Sequence, residues 1–492
     1  MTDSSQVTTR LVKNIKWTAF IEIAARIVSP LLLIILAKLI APEYFGLVST
    51  ATISITFFNI FWDAGLSKAL VQDQQISTGS ANVIFWANLC LSIVVYILLF
   101  FFAPAIAGFF NSPGSELVIR VLGVQLIIGS LGSVQQNLQV REINYKPLFF
   151  VRLFTAIVPA LVAIPMALLD FRVWALVAGN LSGSILGVIF LWIQSPWRPI
   201  IKVNFSILPR LLRYGLWVMF EGILGWFISM GDNLWVGHFL GTQSLGIYQV
   251  GWSISTVIFS IALTPLISML FPAFSRLSGD EESRNTLYWK AVKLINSLCL
   301  PMGIGLFFTG GYIEQVLVND NWSGVGGVIS WIGLMMGISW TVGVNTELYR
   351  AIGRPDVNTK IVFICVLYYA PVYYFASQLG LSTFTVFRFL VALMALPIHY
   401  YLMTRILKIS VLHYFKNLRS IFLSLLIMVL VLTGITWIEN TFNLINSPLL
   451  MLVVLVFAGL VSYLGILLAV DKKFIVGFIN LVKEVTRKEK NA

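Results

Sequence analysis

Apolar runs of about twenty residues recur from one end of the chain to the other, separated by short polar stretches. A helix rises about 1.5 Å per residue, so a run of this length crosses the roughly 30 Å hydrocarbon layer of a bilayer. Fourteen such spans are predicted, over approximately 17–37, 46–66, 82–103, 117–137, 150–169, 173–193, 214–236, 246–270, 291–309, 325–344, 360–379, 382–403, 420–438 and 448–469. The runs are continuous in Leu, Ile, Val and Phe, unlike the alternation along a membrane β-barrel strand. They are also studded with Gly, which membrane helices use for close packing. The predicted fold class is all-α integral membrane. The polar and then basic start, Met1 to Lys16, leads into the first span with no small-residue cleavage site, so that span reads as a retained helix.

Composition strengthens this picture. Hydrophobic residues make up 58% of the 492 and charged ones 11%, against about 25% charged in a soluble domain. The mean hydropathy is +0.89, and no polar segment is long enough to be a soluble domain. Cys90, Cys299 and Cys365 each sit inside an apolar run. They are too few and too far apart for a disulfide framework or a zinc site, and read as packing residues.

The net charge of +12 becomes informative once it is sorted by side. Of the 33 Lys and Arg, 28 fall in the even-numbered gaps and the two termini; the odd-numbered gaps hold only Lys38, Arg120 and Arg172, while Arg26 and Arg388 lie within spans. One missed helix would scramble this alternation downstream, so the split supports the span count. By the positive-inside rule both termini face the cytoplasm. The basic excess then reflects orientation and contact with anionic membrane lipids, not a nucleic-acid surface.

An internal repeat has an offset of 200 residues. Arg10-Leu11-Val12-Lys13, Trp17 and Phe20 recur as Arg210-Leu211-Leu212-Arg213, Trp217 and Phe220; Tyr44-Phe45-Gly46-Leu47 faces Ser244-Leu245-Gly246-Ile247. Because six spans is an even number, both halves enter from the same side, which makes a parallel repeat about an axis along the membrane normal. The expected organisation is a six-helix bundle over residues 1–196, a cytoplasmic connection over 197–213, a second six-helix bundle over 214–404, and two accessory helices with a basic tail over 405–492. Two like-oriented bundles that rock against each other have the geometry of alternating access.

Ionisable residues inside spans are costly and usually face a cavity or a partner. Glu22 and Arg26 stand one helical turn apart, either as a self-neutralising structural pair or as a phosphate-binding arginine tuned by its neighbour. Arginine suits phosphate because its planar fork donates two parallel hydrogen bonds and stays charged. Arg388 has no acidic residue in its own span; it either snorkels outward or faces the cavity. His399 lies about three turns on along the same face, where a structural role is the commoner one. Glu221, the displaced counterpart of Glu22, is a candidate carboxylate for coupling to H⁺ or Na⁺, or a hydrogen-bonded structural acid; Asp232 is a weaker candidate. Asp63, Glu347, Arg350 and Arg354 cluster at the inner ends of spans as gate elements or as solvated loop charges.

No phosphate-binding loop, zinc-protease motif or nucleophile elbow is present in the sequence. The outward gaps are short, the longest running roughly from Gly310 to Gly324, whereas a membrane glycosyltransferase or polymerase would carry a large outward domain. A transporter, with no cofactor, is favoured over an enzyme.

Four segments carry a family resemblance: Phe45-Gly46-Leu47, Asp63-Ala-Gly-Leu-Ser-Lys-Ala-Leu-Val-Gln, Leu270-Phe271-Pro272-Ala273-Phe274-Ser275 and Gly353-Arg354-Pro355-Asp356. In order and spacing they resemble the Wzx-type oligosaccharide flippases of the multidrug/oligosaccharidyl-lipid/polysaccharide (MOP) exporter superfamily, nearest the colanic- and teichuronic-acid branch. The resemblance spans essentially the whole chain. It implies a bacterial inner-membrane protein that flips undecaprenyl-pyrophosphate-linked repeat units to the periplasmic leaflet. It also implies a V-shaped pair of bundles, a positively charged cavity, cation coupling, and work alongside a polysaccharide polymerase and other assembly proteins. No residue is carried over from the family; Arg26 and Arg388 as pyrophosphate ligands follow from chemistry. A multidrug extruder and a peptidoglycan-precursor flippase are the alternatives within the superfamily. The embedded arginines and the extra helix pair disfavour the extruder, while span number does not separate the two flippases.

Overall fold

A computed structural model describes residues 32–63, 78–141, 145–200, 208–277 and 279–476. Helix dominates, and no strand occurs among the described residues. Among the described residues, twelve helical segments are long and apolar enough to cross a membrane, so the chain is a multi-pass membrane protein. One of them, Met219–Arg276, is 58 residues long and breaks at Gly241 (φ 76°, ψ −179°). It carries two of the predicted spans, 214–236 and 246–270. The first predicted span, with Glu22 and Arg26, lies outside the described residues except for a helical end at 32–39.

Several helices overrun the spans read from hydropathy. Thr78–Phe109 has 32 residues and Glu281–Leu317 has 37. The predicted outward loop from Gly310 is therefore still helix as far as Leu317, followed by a 3₁₀ turn at Asp320–Trp322. Hydropathy marks only the part of a helix inside hydrocarbon; the backbone bonds continue into the interface, where polar side chains are solvated.

The chain packs as two compact units. The first comprises the chain as far as Val257 together with Val318–Ser323 and Val362–Phe387; the second comprises Ile258–Leu317, Gly324–Ile361 and the chain from Arg388 onward. In the first unit, Leu47, Ala51, Ile55 and Trp62 of the Pro42–Asp63 helix form a core with Val95, Leu99, Ile119 and Leu122. The Tyr145–Leu168 and Val173–Gln194 helices pair along a small-residue seam, where Gly179, Gly183 and Gly187 meet Pro159 and Thr155. Lipid is as apolar as leucine, so close backbone approach, not water exclusion, holds such helices together.

The two copies of the repeat cross within this unit. A Cβ built at Gly46 would lie 1.8 Å from the Thr242 carbonyl oxygen, and one at Gly246 would lie 2.0 Å from that of Pro42. Both pairs, 42 with 242 and 46 with 246, are separated by the repeat offset of 200. The contact is reciprocal, as a local two-fold relation requires.

In the second unit, Glu281–Leu317 and Val325–Ser339 pack closely, with Gly303 against Gly337. The Glu314 carboxylate accepts from the N–H groups of Gly324 (3.1 Å) and Gly326 (2.5 Å), satisfying donors that a helix start leaves open. The last two helices, Arg419–Phe442 and Pro448–Val470, pack on Glu281–Leu317. Tyr463 donates to the Ser297 carbonyl at 2.9 Å. Asp471 accepts from Lys293 (2.5 Å) and Ser420 (3.1 Å).

Several hydrogen bonds join segments that are remote in the chain. Asn319 and Trp322 of the ninth gap donate to the carbonyls of Lys38 and Ala37 in the first, and Asn111 of the third donates to His238 near the seventh. Within the first unit, Asn82 and Trp86 also bond Ile200; within the second, Lys293 and Ser420 both meet Asp471.

Candidate functional site

A cavity of about 360 Å³ lies within the first unit, enclosed by the 32–39 stretch and by parts of the Pro42–Asp63, Tyr145–Leu168, Val173–Gln194 and Met219–Arg276 helices. Among the described residues its polar lining is neutral: Ser49, Thr52, Thr155, Asn180, Gln249 and Ser253. Thr52, Thr155 and Asn180 spend a donor on carbonyls of their own helices. Ser49, Gln249 and Ser253 make no side-chain hydrogen bond among the described residues, so their donors and acceptors face the space. Ser49 and Gln249 stand at repeat-related positions, as do Ile53 and Ser253, which also line it. The cavity therefore sits where the two copies of the repeat meet.

A buried acid lies two residues from the cavity-lining Met230. Asp232 and Tyr248 are both fully buried, and the Tyr248 hydroxyl donates to Asp232 Oδ2 at 2.8 Å. The other oxygen accepts from the backbone and side-chain N–H of Asn233 at 2.8 and 2.9 Å. Asp232 precedes the break at Gly241 and Tyr248 follows it, so this bond ties together the two helices that the break separates. Phe384 packs edge-on against Tyr248, and Tyr373 packs on Phe384.

The predicted site residues scatter. Glu221 is exposed. Arg388 is 5% exposed, in the Leu381–Leu393 helix, and engaged by neighbouring groups. Asp63 is the half-buried last residue of its helix. Glu347 pairs with Arg350 at 3.1 Å, and Asp356 receives Arg354 and Lys360, each at 3.0 Å. These last pairs join residues within a turn of each other, around Gly353 at φ 76°. The neutral cavity residues escaped a search that weighed only charge. Their signal was present: the hydroxyl-rich run from Ser49 to Thr56, taken with its partner 200 residues on.

Two further cavities are apolar. One, of about 470 Å³ in the first unit, is walled by Phe57, Phe58, Phe102, Phe109 and Trp226. The other, of about 480 Å³ in the second unit, runs between the Glu281–Leu317 helix and the last two helices, along Pro301, Met428, Leu455 and Gly459.

Known proteins share this architecture. The fold matches that of the lipid II flippase MurJ in an inward-closed conformation, with a TM-score of 0.76 over 93% of this chain and 99% of that one, at 15% identity. It also matches an inward-facing MATE-family multidrug resistance transporter of the MOP superfamily, with a TM-score of 0.62 over 78% and 98%, again at 15% identity. At such identities the likeness is one of fold. In sequence the chain is 20% identical to the teichuronic acid biosynthesis protein TuaB of Bacillus subtilis (strain 168), over 94% of this chain and 96% of that protein. It is 21% identical to the lipopolysaccharide biosynthesis protein WzxC of Escherichia coli (strain K12), over 75% and 76%. It is 24% identical to the succinoglycan biosynthesis transport protein ExoT of Rhizobium meliloti (strain 1021), over 66% of this chain but 65% of that protein's length. Residues 35–326, more than half of the chain, match the family described as "Polysaccharide biosynthesis protein", and with the fold in agreement the chain belongs to that family.

Proposed function

We propose that this protein flips polyprenyl-diphosphate-linked oligosaccharide repeat units from the cytoplasmic to the periplasmic leaflet of a bacterial inner membrane, for polysaccharide assembly. The observation that carries the reading is the neutral polar cavity at the repeat junction. Sugars present hydroxyl groups that both donate and accept, and Ser49, Gln249 and Ser253 offer matching groups with no charge to desolvate. Transporter sites commonly lie at repeat interfaces, which the pairing of positions 49 with 249 and 53 with 253 supports. The polysaccharide-assembly relatives favour a glycan over a cationic drug as cargo.

The apolar cavity beside the last two helices fits the polyprenyl chain, which needs a dry wall and no hydrogen bonds. Arg388 is a pyrophosphate ligand, reached as the helices around it move; Arg26 holds the same role in the first span. Glu221 is the coupling carboxylate for H⁺ or Na⁺, since its side chain is exposed while Asp232 is engaged on both oxygens. Both termini face the cytoplasm, the two six-helix bundles alternate access between them, and Asp63, Glu347, Arg350 and Arg354 latch the inner face. The chain carries out transport and no covalent chemistry, and passes its cargo to a polymerase.

Deleting the gene in its host tests this. Lipid-linked repeat units should accumulate on the cytoplasmic leaflet, resistant to glycosidase added outside intact spheroplasts. Normal polymer output without any redundant flippase would refute it.

A further inference from the structure

We propose a second binding site, for a phosphate-bearing group, on the face formed by the odd-numbered gaps. This face is outward on the reading given above, and the placement rests on that reading. A polar cavity of about 210 Å³ is lined there by Lys38, Tyr44, Asp170, Arg172, Asn319 and Asn321. The residues come from the first, fifth and ninth gaps, which are remote in sequence.

The charge pattern singles this cavity out. The odd gaps hold only three Lys and Arg, and two of them, Lys38 and Arg172, line this one space. Both cations are solvent-exposed, so water screens their mutual repulsion, and an anion between them would draw on both. Asp170 balances one of them, and weakly. Its two contacts with Arg172 are 3.4 Å each, against about 2.7–2.9 Å for a well-formed charge-assisted pair. Lys38 has no ion-pair partner among the described residues. One positive charge is left over.

The remaining groups are hydrogen-bond donors that suit an oxyanion. Asn319 and Asn321 carry amide N–H groups, and the Tyr44 hydroxyl lies beside the Arg172 guanidinium. A phosphate or diphosphate accepts on every face, and Arg172 can meet it with two parallel bonds.

The cavity is held open by structure that a solvated loop does not need. Asp170 and Arg172 both have positive φ, at 59° and 50°, a conformation that residues other than glycine adopt uncommonly. Trp322, fully buried next to the two asparagines, donates to the Ala37 carbonyl at 2.6 Å and packs edge-on against Phe45 at 5.1 Å. That bond ties the turn carrying the two asparagines to the segment carrying Lys38. The ligand is the phosphate of either a lipid head group in the outer leaflet or a diphosphate carrier arriving there; the chemistry is shared.

The test is saturable binding of inorganic diphosphate to the full-length protein in neutral detergent at about 0.15 M salt. Lys38→Gln and Arg172→Gln should each weaken binding about tenfold, and together about a hundredfold. Asp170→Asn should tighten it several-fold by freeing Arg172, a gain that loss of structure would not produce. Competition by vesicles of phosphatidylglycerol, but not of phosphatidylcholine, identifies a lipid head group as the source; no competition by either identifies a free or carrier-linked phosphate. Unchanged binding in the double variant, or no binding by the parent, overturns the site. Labelling of Asn321→Cys by an impermeant maleimide on intact cells tests the outward placement separately. Labelling only after lysis would sink the orientation and leave the binding result standing, and neither readout depends on flipping.

Discussion

Gly46 and Gly246, separated by the repeat offset, each meet the carbonyl of the other's helix start, Thr242 and Pro42. Neither position has room for a methyl group. Alanine at either should push the crossing apart and cost about 1–3 kcal/mol, as overpacking does. Because the contact is reciprocal, the two variants should lower the unfolding temperature by similar amounts in nanodiscs, and the double variant by less than the sum. A large asymmetry would argue against the local two-fold relation.

Gly241 has the opposite character: a Cβ there would meet nothing within 4 Å, yet its φ of 76° with ψ of −179° belongs almost to glycine alone. Gly241→Ala should destabilise by about 1–3 kcal/mol through backbone strain. Substituting larger residues should cost little more than alanine does, which a series of melting curves would reveal.

Removing the Tyr248 hydroxyl takes one hydrogen bond from the Asp232 carboxylate. Tyr248→Phe should cost about 1.5–3 kcal/mol. Asp232→Ala should cost more, since Asn233 loses its acceptor as well. A double-mutant cycle on unfolding should return a coupling of the same size as the single hydroxyl deletion.

The cavity predicts a separation of function from stability. Gln249→Leu and Ser253→Leu should each cut flipping about tenfold or more, as expected when a glycan hydroxyl loses its partner, while unfolding temperatures stay near the parent value. Arg388→Ala should abolish flipping with insertion intact, and Arg388→Lys should restore it partly, because a lysine lacks the planar fork. Leaflet-specific glycosidase sensitivity of the carrier reads all four.

Acid should loosen the junction between the last helix and Glu281–Leu317. Partial burial raises the Asp471 carboxyl, but the Lys293 hydrogen bond and charge, with the Ser420 hydroxyl, outweigh it and hold it below the ordinary carboxylate value. A depressed folded-state value means that the stabilisation is present above the unfolded carboxyl value, about 4, and is lost as pH falls through the folded one. Stability of the parent should therefore fall more steeply than that of Asp471→Asn below about pH 4. Identical acid limbs would show that the pair contributes nothing.

The crossings were legible because they rest on local chemistry. A run of twenty apolar residues partitions into lipid whatever its neighbours do. The offset between Gly46 and Gly246 was equally visible, since duplication leaves an imprint in residue order. Helix ends were less so: Thr78–Phe109 extends past its apolar stretch because backbone hydrogen bonding does not stop where hydrocarbon does.

The site was another matter. Charge is conspicuous in an apolar sequence, so Glu221, Asp232 and Arg388 drew attention first, yet the cavity wall is made of hydroxyl and amide groups that look ordinary one at a time. Which neutral groups share a space depends on how helices hundreds of residues apart turn their faces, and only packing settles that. The sequence by itself determined the bilayer and the 200-residue offset, because the one is set by short-range partitioning and the other by copying. Only the tertiary structure decided that Ser49 meets Gln249 across a cavity, that Asp232 is bonded to Tyr248, and that Lys38 and Arg172 converge, because helix rotation and crossing are fixed by the close contact of side chains remote in the chain.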